Sequence, residues 1–483
     1  MSIRNENISG DLGNGTYLNP VLRGNYADPS IIRVGEDYYM VNTSYQYVPG
    51  LIVWHSLDLV NWEPVGAVLH QCNGNVWAPD ITYHNGLFYV YFPADGTNWV
   101  SYAEDPRGPW SKPVDLGTRF IDPGHVVGPD GKRYLHLSDG HMVQLADDGL
   151  SVVGEVKKVY DPWRYPDDWE VEAFSPEGPK LLRKDGYYYM IIAVGGTAGP
   201  ATSHMVAASR SRTPWGPWEH SPYNPIIRTW SREERWWSQG HGSLIDTPEG
   251  RWYMIYHAYE GGFHTLGRHT MLVPIEWTAD GWFKVPDGVQ PDQPLPMPRQ
   301  VAEKVHYGMP QQDRFTGLGL HWQRLRDAGR ERFRVQDGCL VIDGRMEGED
   351  SPILYMTGHR SYEAEAEVSV SGEAEALFLL YYDKHTYLGL GLNTSGVRHL
   401  RNFKSYRRMA CPGGRVRLRI RNDNHIVSFY YQGQDGVWVK YDKVVEASGF
   451  HHNTFGGFLS LRIGLDAVGS GQAFVHSFSY RPL

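Results

Sequence analysis

Residues of the types used in acid–base catalysis recur at one position of a repeated sequence pattern. Asp28, Asp80, Asp122 and Glu177 each stand just before a short apolar segment, and His241 stands at the same place in a fifth copy. Hydrolysis of a glycosidic bond needs two carboxyl groups on opposite faces of the sugar, because one protonates the leaving oxygen while the other activates water or attacks directly. These residues could do that chemistry if the fold brings them together.

A hairpin follows each of these residues. In the clearest copy, Ser175 to Ile192, an Asp185-Gly186 turn separates an apolar segment from an aromatic and β-branched one. Asp-Gly and Asn-Gly between such segments favour hairpins, since both residues tolerate positive φ. Five copies within about 230 residues indicate a β-propeller with one copy in each blade.

The innermost strand of each propeller blade lines the central channel, so the recurring polar residues are expected to face one shared space. Asp28 lies three blades before Glu177, or two blades the other way round, and therefore faces it across the channel. Asp122 lies between them. Apolar and aromatic sequence beside Glu177 could raise the pKa of its carboxyl group, which suits a general acid.

Structural roles are the competing interpretation of the same residues. An aspartate before proline is commonly a turn or capping residue, and Asp80 is the member of the set that best suits such a role. A single histidine such as His241 is more often a hydrogen-bonded core residue than a ligand. Trp77, two residues before Pro79, could stack on a sugar ring or fill the core of a blade.

Composition and charge exclude several classes of protein. The 483 residues carry a net charge of −9, which gives no reason to expect nucleic acid as a partner. Apolar runs of the roughly 18 residues that a membrane span needs are absent from the sequence. Met1–Asn7 lacks the apolar centre of a signal peptide, so we expect a cytoplasmic protein. Three distant cysteines (Cys72, Cys339 and Cys411) fit a reduced compartment without a disulfide framework.

The composition changes near residue 290. Gln290–Pro298 contains four prolines in nine residues, and 15 of the 17 tryptophans precede it. After it, segments such as Tyr362–Val370 and Arg415–Arg421 alternate polar and apolar residues, which is typical of antiparallel strands with one buried face. We therefore predict an all-β chain, with a five-bladed propeller over residues 15–295 and a β-sandwich over 309–483. The boundary is expected within residues 292–308.

The motifs also resemble those of glycoside hydrolase family 43, the five-bladed β-propeller xylosidases and arabinofuranosidases. The segments that carry the resemblance are Tyr26–Ser30, Val76–Asp80, Phe120–Pro123, Pro176–Pro179 with Lys184–Tyr189, Ala193–Thr197 and Gly240–Ser243. They span the predicted propeller in order. The stretch from Gln312 to Trp322 is similar to the start of the concanavalin-like β-sandwich of the family's two-domain xylosidases.

The resemblance implies roles for the three acidic residues. Asp28 would be the general base that activates water, Glu177 the general acid, and Asp122 the residue that holds and tunes Glu177. The implied activity is exo-acting hydrolysis with inversion, which releases terminal β-D-xylose or α-L-arabinofuranose from oligosaccharides.

The resemblance also implies three contacts around the sugar. Arg268 looks like the family's sugar-binding arginine, and Trp77 would form a wall of the subsite that holds the terminal sugar. His241 looks like the central-channel histidine, which in several members contacts a calcium ion mostly through water. Calcium in the channel is therefore an expected cofactor.

Two other functions are compatible with this architecture. A retaining propeller glycosidase of the fructan-cleaving type shares the propeller and sandwich, but its Trp-x-Asn-Asp-Pro, Arg-Asp-Pro and Glu-Cys motifs are absent from the sequence. A non-catalytic carbohydrate-binding propeller would not need opposed acids. The choice between xylose and arabinofuranose, and the oligomeric state, stay open at this stage.

Overall fold

β-Strands make up nearly all of the regular structure. The computed structural model describes residues 9–327, 329–346, 351–402, 404–411, 413–433 and 435–483. Within these ranges the α-helix is the single turn His452–Phe455, and 3-10 turns lie at Ser138–Gly140, His264–Leu266 and Arg330–Arg332. None of the described helices is long and apolar enough to cross a membrane. Met1–Asn7, on which the expected location depends, lies outside the described residues.

Five antiparallel sheets follow one another along the chain and form propeller blades I to V. Blade I contains Ser30–Val34, Asp37–Val41, Gly50–Ser56 and Glu63–Leu69, and blade II contains Asp80–His84, Leu87–Ala94, Thr97–Ala103 and Val114–Asp115. Blade III contains Gly124–Val127, Arg133–Leu137, His141–Leu145 and Val152–Lys158. Blade IV contains Glu177–Lys184, Tyr187–Val194, Met205–Ser211, Glu219–His220 and Ile227–Arg228. Blade V contains Trp236–Asp246, Trp252–Glu260, Arg268–Trp277 and Phe283–Lys284.

The predicted hairpins form the first two strands of the blades, which confirms the five-bladed propeller. In blade IV, Asp185 and Gly186 take φ values of 50° and 77°, as the tight hairpin turn requires. A short strand pair closes the ring, because Thr16–Tyr17 before blade I pairs with Leu295–Pro296 after blade V.

The rest of the chain forms two sheets packed face to face. One sheet contains, in spatial order, Phe333–Gln336, Cys339–Asp343, Gly471–Pro482, Ser361–Gly372, Val416–Asp423, Ile426–Gln432 and Trp438–Glu446, with Gln312–Asp313 beside Gly471–Pro482. The other contains Lys404–Ser405, Gly396–Arg401, Thr386–Asn393, Glu375–Asp383, Arg462–Val468, Ile353–Tyr355, Gln323–Leu325 and Tyr47–Val48. Alternate residues of Val416–Asp423 are buried in the core between the sheets, as the period-two pattern predicts.

One strand of the sandwich comes from the propeller. Tyr47–Val48, in the loop between the second and third strands of blade I, pairs antiparallel with Arg324 and Leu325. The Arg462 guanidinium of the sandwich lies 3.3 Å from the centre of the Tyr47 ring. The predicted domain limits stay a prediction, but the two folds share a sheet at this point.

Candidate active site

The central channel brings together the residues that the sequence singled out. Asp28, Asp122 and His241 are buried, and all three have left-handed backbone, with φ values of 55°, 60° and 52°. Glu177 begins the innermost strand of blade IV, and its side chain is 24% exposed. It is therefore the most exposed of the three carboxyl groups.

His241 is the common neighbour of the three acids. Its Nε2 lies 3.3 Å from Glu177 Oε1 and 3.7 Å from Asp122 Oδ2, and its Nδ1 lies 3.9 Å from Asp28 Oδ1. Gly178 allows this packing, because a Cβ added to it would lie 2.6 Å from His241 Nδ1. The glycine is thus required by a close approach as well as by its φ of 62°.

Positive and neutral donors surround Asp28. Arg268 Nη1 donates to its Oδ1 at 2.9 Å, and the Thr43 hydroxyl donates to its Oδ2. Burial alone would raise the pKa of Asp28, but the charges of Arg268 and His241 hold it well below its usual range. Asp28 is therefore a carboxylate at neutral pH and can accept a proton.

Asp122 and Glu177 form a different electrostatic pair. The Gly178 N–H donates to Asp122 Oδ2 at 3.1 Å. Burial and the nearby Glu177 carboxylate raise the pKa of Asp122, because two close negative charges are unfavourable away from water. The pair therefore keeps a proton at a pH where isolated carboxyl groups have lost theirs. One side of the channel can donate a proton while the other accepts one.

The sandwich contributes to the same pocket. The Arg268 guanidinium donates through Nη2 to the Tyr45 hydroxyl at 2.7 Å and lies 5.4 Å from the centre of the Phe458 ring. Phe458 is held in turn by His452, which stacks on its ring at 3.5 Å, and by Asn25 Nδ2, which donates to its carbonyl at 3.0 Å. The loop that carries Phe458 is the sandwich segment beside the site, which the sequence pattern did not identify.

Trp77 and Asp80 lie in different surroundings although they are close in sequence. Trp77 is 37% exposed and does not belong to the described blade cores, so its ring is available as a surface. Asp80 is buried against Lys180 Nζ at 3.1 Å, the Ser30 hydroxyl at 2.9 Å and the His125 N–H at 2.8 Å. These contacts join blades I to IV. They occupy both carboxylate oxygens of Asp80, which is therefore a structural residue.

Two buried histidines were not identified from the sequence. The rings of His204, His241 and His257 stack on one another with centroids 5.2 to 5.5 Å apart. His257 Nδ1 accepts from the Asp28 backbone N–H at 3.1 Å and lies 3.0 Å from Asp28 Oδ1, and its Nε2 lies 3.5 Å from Arg268 Nη1. Burial lowers the pKa of His257 to about 3, and the Arg268 charge adds to this.

The close group of donor atoms in the described part of the channel does not fit a directly bound calcium ion, and the water-mediated calcium contact expected at His241 stays a prediction. Glu177, His204 and His241 place one ligand atom each within 4.8 Å of one another, so the set contains two imidazole nitrogens and one carboxylate. Calcium takes about six to eight oxygen ligands. The described side chains therefore do not fit a directly bound calcium ion, and the chemistry below does not depend on one.

Known proteins with the same fold carry related sequences. The family model "Glycosyl hydrolases family 43" matches residues 17–283. A non-reducing end α-L-arabinofuranosidase of Bacteroides ovatus is 35% identical over 68% of this chain and 65% of its own length. A xylan 1,3-β-xylosidase of a Vibrio species is 35% identical over 57% of this chain and 58% of its own length. The crystal structure of the GH43 protein BlXynB from Bacillus licheniformis is 30% identical, with a TM-score of 0.87 over 97% of this chain and 100% of that one.

The matched part of the chain covers less than two thirds of the length of these two curated relatives. The family model nevertheless spans more than half of this chain and includes Asp28, Asp122, Glu177, His241 and Arg268. The resemblance found in the motifs is thereby confirmed, and the chain belongs to family 43 of the glycosyl hydrolases.

Proposed function

We propose that this chain is an exo-acting, inverting glycoside hydrolase that releases terminal β-D-xylose, α-L-arabinofuranose or both from xylo- or arabino-oligosaccharides. The observation that carries the proposal is the meeting of Asp28, Asp122 and Glu177 around His241 in a buried channel. Family membership supports it, as do the names of the Bacteroides and Vibrio relatives, which act on these sugars.

The low pKa of Asp28 and the raised pKa of Asp122 support the following catalytic roles. The Asp28 carboxylate takes a proton from water, and the water oxygen attacks the anomeric carbon. Glu177 gives its proton to the glycosidic oxygen as the bond from that oxygen to the anomeric carbon breaks. Asp122 favours the protonated state of the pair that it forms with Glu177. Exchange with solvent then returns the proton from Asp28 to the bulk and restores the one on Glu177.

The position of His241 supports inversion. Its Nδ1 lies near Asp28 and its Nε2 lies near Glu177. The imidazole ring therefore stands between the two carboxyl groups. This arrangement allows the carboxyl separation of about 6.5–9.5 Å that inverting enzymes have, where retaining ones have about 5–5.5 Å. The longer separation leaves room for the attacking water.

The walls of the pocket support exo-action. Phe458 from the sandwich lies over Arg268, and the Tyr45 hydroxyl accepts a hydrogen bond from the same guanidinium. Arg268 is buried by these neighbours, so a sugar that reaches it enters a pocket closed on the sandwich side. Such a pocket accepts the end of a chain and releases single sugars.

The test compares nitrophenyl β-D-xylopyranoside with nitrophenyl α-L-arabinofuranoside, and follows the products from the natural oligosaccharides by chromatography. We expect hydrolysis of at least one of the two aryl glycosides, and a monosaccharide as the first product. The Asp28→Asn variant is the control and should lose activity by at least about 10²-fold. Hydrolysis of neither glycoside, or longer fragments as first products, would contradict the proposal.

A further inference from the structure

An aromatic platform lies at the end of the propeller where the catalytic residues are. It consists of Trp169, Arg228 and Trp230. Trp230 is 63% exposed, although its ring meets that of Trp169 at 5.5 Å. The Arg228 guanidinium lies 3.5 Å from the centre of the Trp169 ring and 4.9 Å from that of Trp230. Adjoining exposed apolar surface of this kind, formed here by two neighbouring indoles, marks binding sites more often than a single exposed side chain does.

Hydrogen bonds fix the backbone that carries the exposed indole. Glu234 Oε1 accepts from the backbone N–H groups of Trp230 at 2.7 Å and Ser231 at 2.9 Å. The Trp237 indole N–H donates to the Glu234 carbonyl at 2.8 Å. A backbone that is already ordered loses little conformational entropy when a ligand stacks on the side chain that it carries.

The platform is joined to the catalytic channel through the neighbouring loops. Trp169 belongs to the loop that leads into the strand of Glu177. In this loop the Glu172 N–H donates to the Ser203 hydroxyl at 2.8 Å. Ser203 precedes His204, whose ring stacks on that of His241. A chain that leaves the catalytic pocket across this rim therefore meets the platform.

A cleft of about 760 Å³ adjoins the platform. Its walls include Arg228, Trp230, Trp237, Gln239 and Asp292, and its size lies within the range of about 300–1,000 Å³ that small-ligand sites show. Two arginines of its wall are paired, since Arg235 and Arg360 both lie 2.8 Å from Glu260. Exposed indole beside polar side chains suits a ligand rich in hydroxyl groups.

We propose that the Trp169–Arg228–Trp230 platform binds the leaving-group part of oligosaccharides longer than a disaccharide. Sugar rings would stack on Trp230, with their hydroxyl groups directed to the polar wall of the cleft. This inference rests on the proposed function, because it concerns the substrate of the same catalytic site.

The test measures kcat/KM for a disaccharide and a tetrasaccharide of the sugar that the native enzyme releases. We expect Trp230→Ala to lower the ratio of the tetrasaccharide value to the disaccharide value by about tenfold, the effect of one lost aromatic contact. Trp230→Phe should restore most of that ratio. Trp215→Ala is the matched control. Trp215 is a 41% exposed tryptophan in the loop at the opposite end of blade IV, where it packs on Tyr134, and its loss should leave the ratio unchanged.

An unchanged ratio in Trp230→Ala, or an equal fall for both substrates, would overturn the inference. Inactivity of the native enzyme on the disaccharide and on aryl glycosides would instead contradict the proposed function. The two failures are therefore distinguishable.

Discussion

At the level of single residues, the different roles proposed for Asp28 and Glu177 lead to different losses on substitution. Protonation of the leaving oxygen matters most when that oxygen is basic, so Glu177→Ala should lose far more activity on xylobiose than on an aryl glycoside with an acidic phenol. Asp28→Ala should lose about equally on both, because every substrate needs an activated water. The loss of Glu177→Ala on xylobiose and the loss of Asp28→Ala on either substrate should each reach at least about 10²-fold. Steady-state kinetics on the two substrates provide the measurement. Equal impairment of Glu177→Ala on both would contradict Glu177 as the general acid.

The surroundings of Asp28 also determine the acid limb of the pH profile. Its pKa is held below the usual range against the effect of burial, with Arg268 as the largest favourable charge. Activity that needs the carboxylate is present above this pKa and is lost as the pH falls through it. Removing the charge in Arg268→Met should therefore move the acid limb of kcat/KM to higher pH, besides weakening sugar binding. The control is Arg212→Met, because Arg212 lies beside the Gly186 turn at the other end of blade IV. This variant should leave the acid limb in place.

Inversion at the anomeric carbon is the third prediction that follows from the roles proposed for Asp28 and Glu177. A single displacement by water requires that the first product from a β-xyloside be α-xylose, which mutarotates only later. Proton NMR of a fresh reaction detects the anomeric signal before that equilibration. Early β-xylose would indicate retention and would make Asp28 a nucleophile.

The acids could be predicted from the sequence because they recur at one position of the repeat, and the structure places them around one channel. His204 and His257 could not, since each is a single histidine in an apolar strand region with no spacing that sets it apart. Phe458 gave no signal either, because its role depends on how the sandwich loop meets Arg268.

At the level of elements, turn residues and close approaches fix where the catalytic strands begin. The hairpins were predictable because Asp-Gly and Asn-Gly turns act locally. The strand Tyr47–Val48 was not, because it has two residues and its partner, Arg324–Leu325, lies in the other fold. A pairing between distant segments leaves no periodicity in either of them.

Gly178 offers a test of strand placement that spares every catalytic side chain. Gly178→Ala forces a Cβ to within 2.6 Å of His241 Nδ1 at a φ of 62°, so it should lower both activity and stability. The backbone strain costs about 1–2 kcal/mol, and the overpacking adds about 1–3 kcal/mol. Gly250→Ala is the control, because Gly250 has a φ of 80° but no atom within 4 Å of an added Cβ.

Chemical unfolding and kcat of the two glycine variants provide the measurement. Gly250→Ala should show the cost of backbone strain alone and keep its activity. Equal losses of stability in both variants, with unchanged kcat in Gly178→Ala, would show that the contact with His241 can relax without consequence.

At the level of the whole molecule, the propeller and the sandwich depend on each other. They share a sheet through Tyr47–Val48, and the Leu461 N–H donates to the Thr265 carbonyl at 2.8 Å. Phe458 lies over Arg268 at the same interface. The contacts that close the pocket are thus also contacts that hold the two folds together.

This dependence predicts a single cooperative transition in scanning calorimetry, in place of one for each fold. Arg462 is 2% exposed, and its guanidinium stacks on the Tyr47 ring across the interface, so Arg462→Met should lower the midpoint of the whole transition. Arg417→Met is the control, because Arg417 pairs with Glu365 on the sandwich surface and is half exposed, where an ion pair contributes about 0–1 kcal/mol. Two resolved transitions in the native chain, with Arg462→Met displacing only one of them, would show that the folds unfold independently and that the shared strand does not couple them.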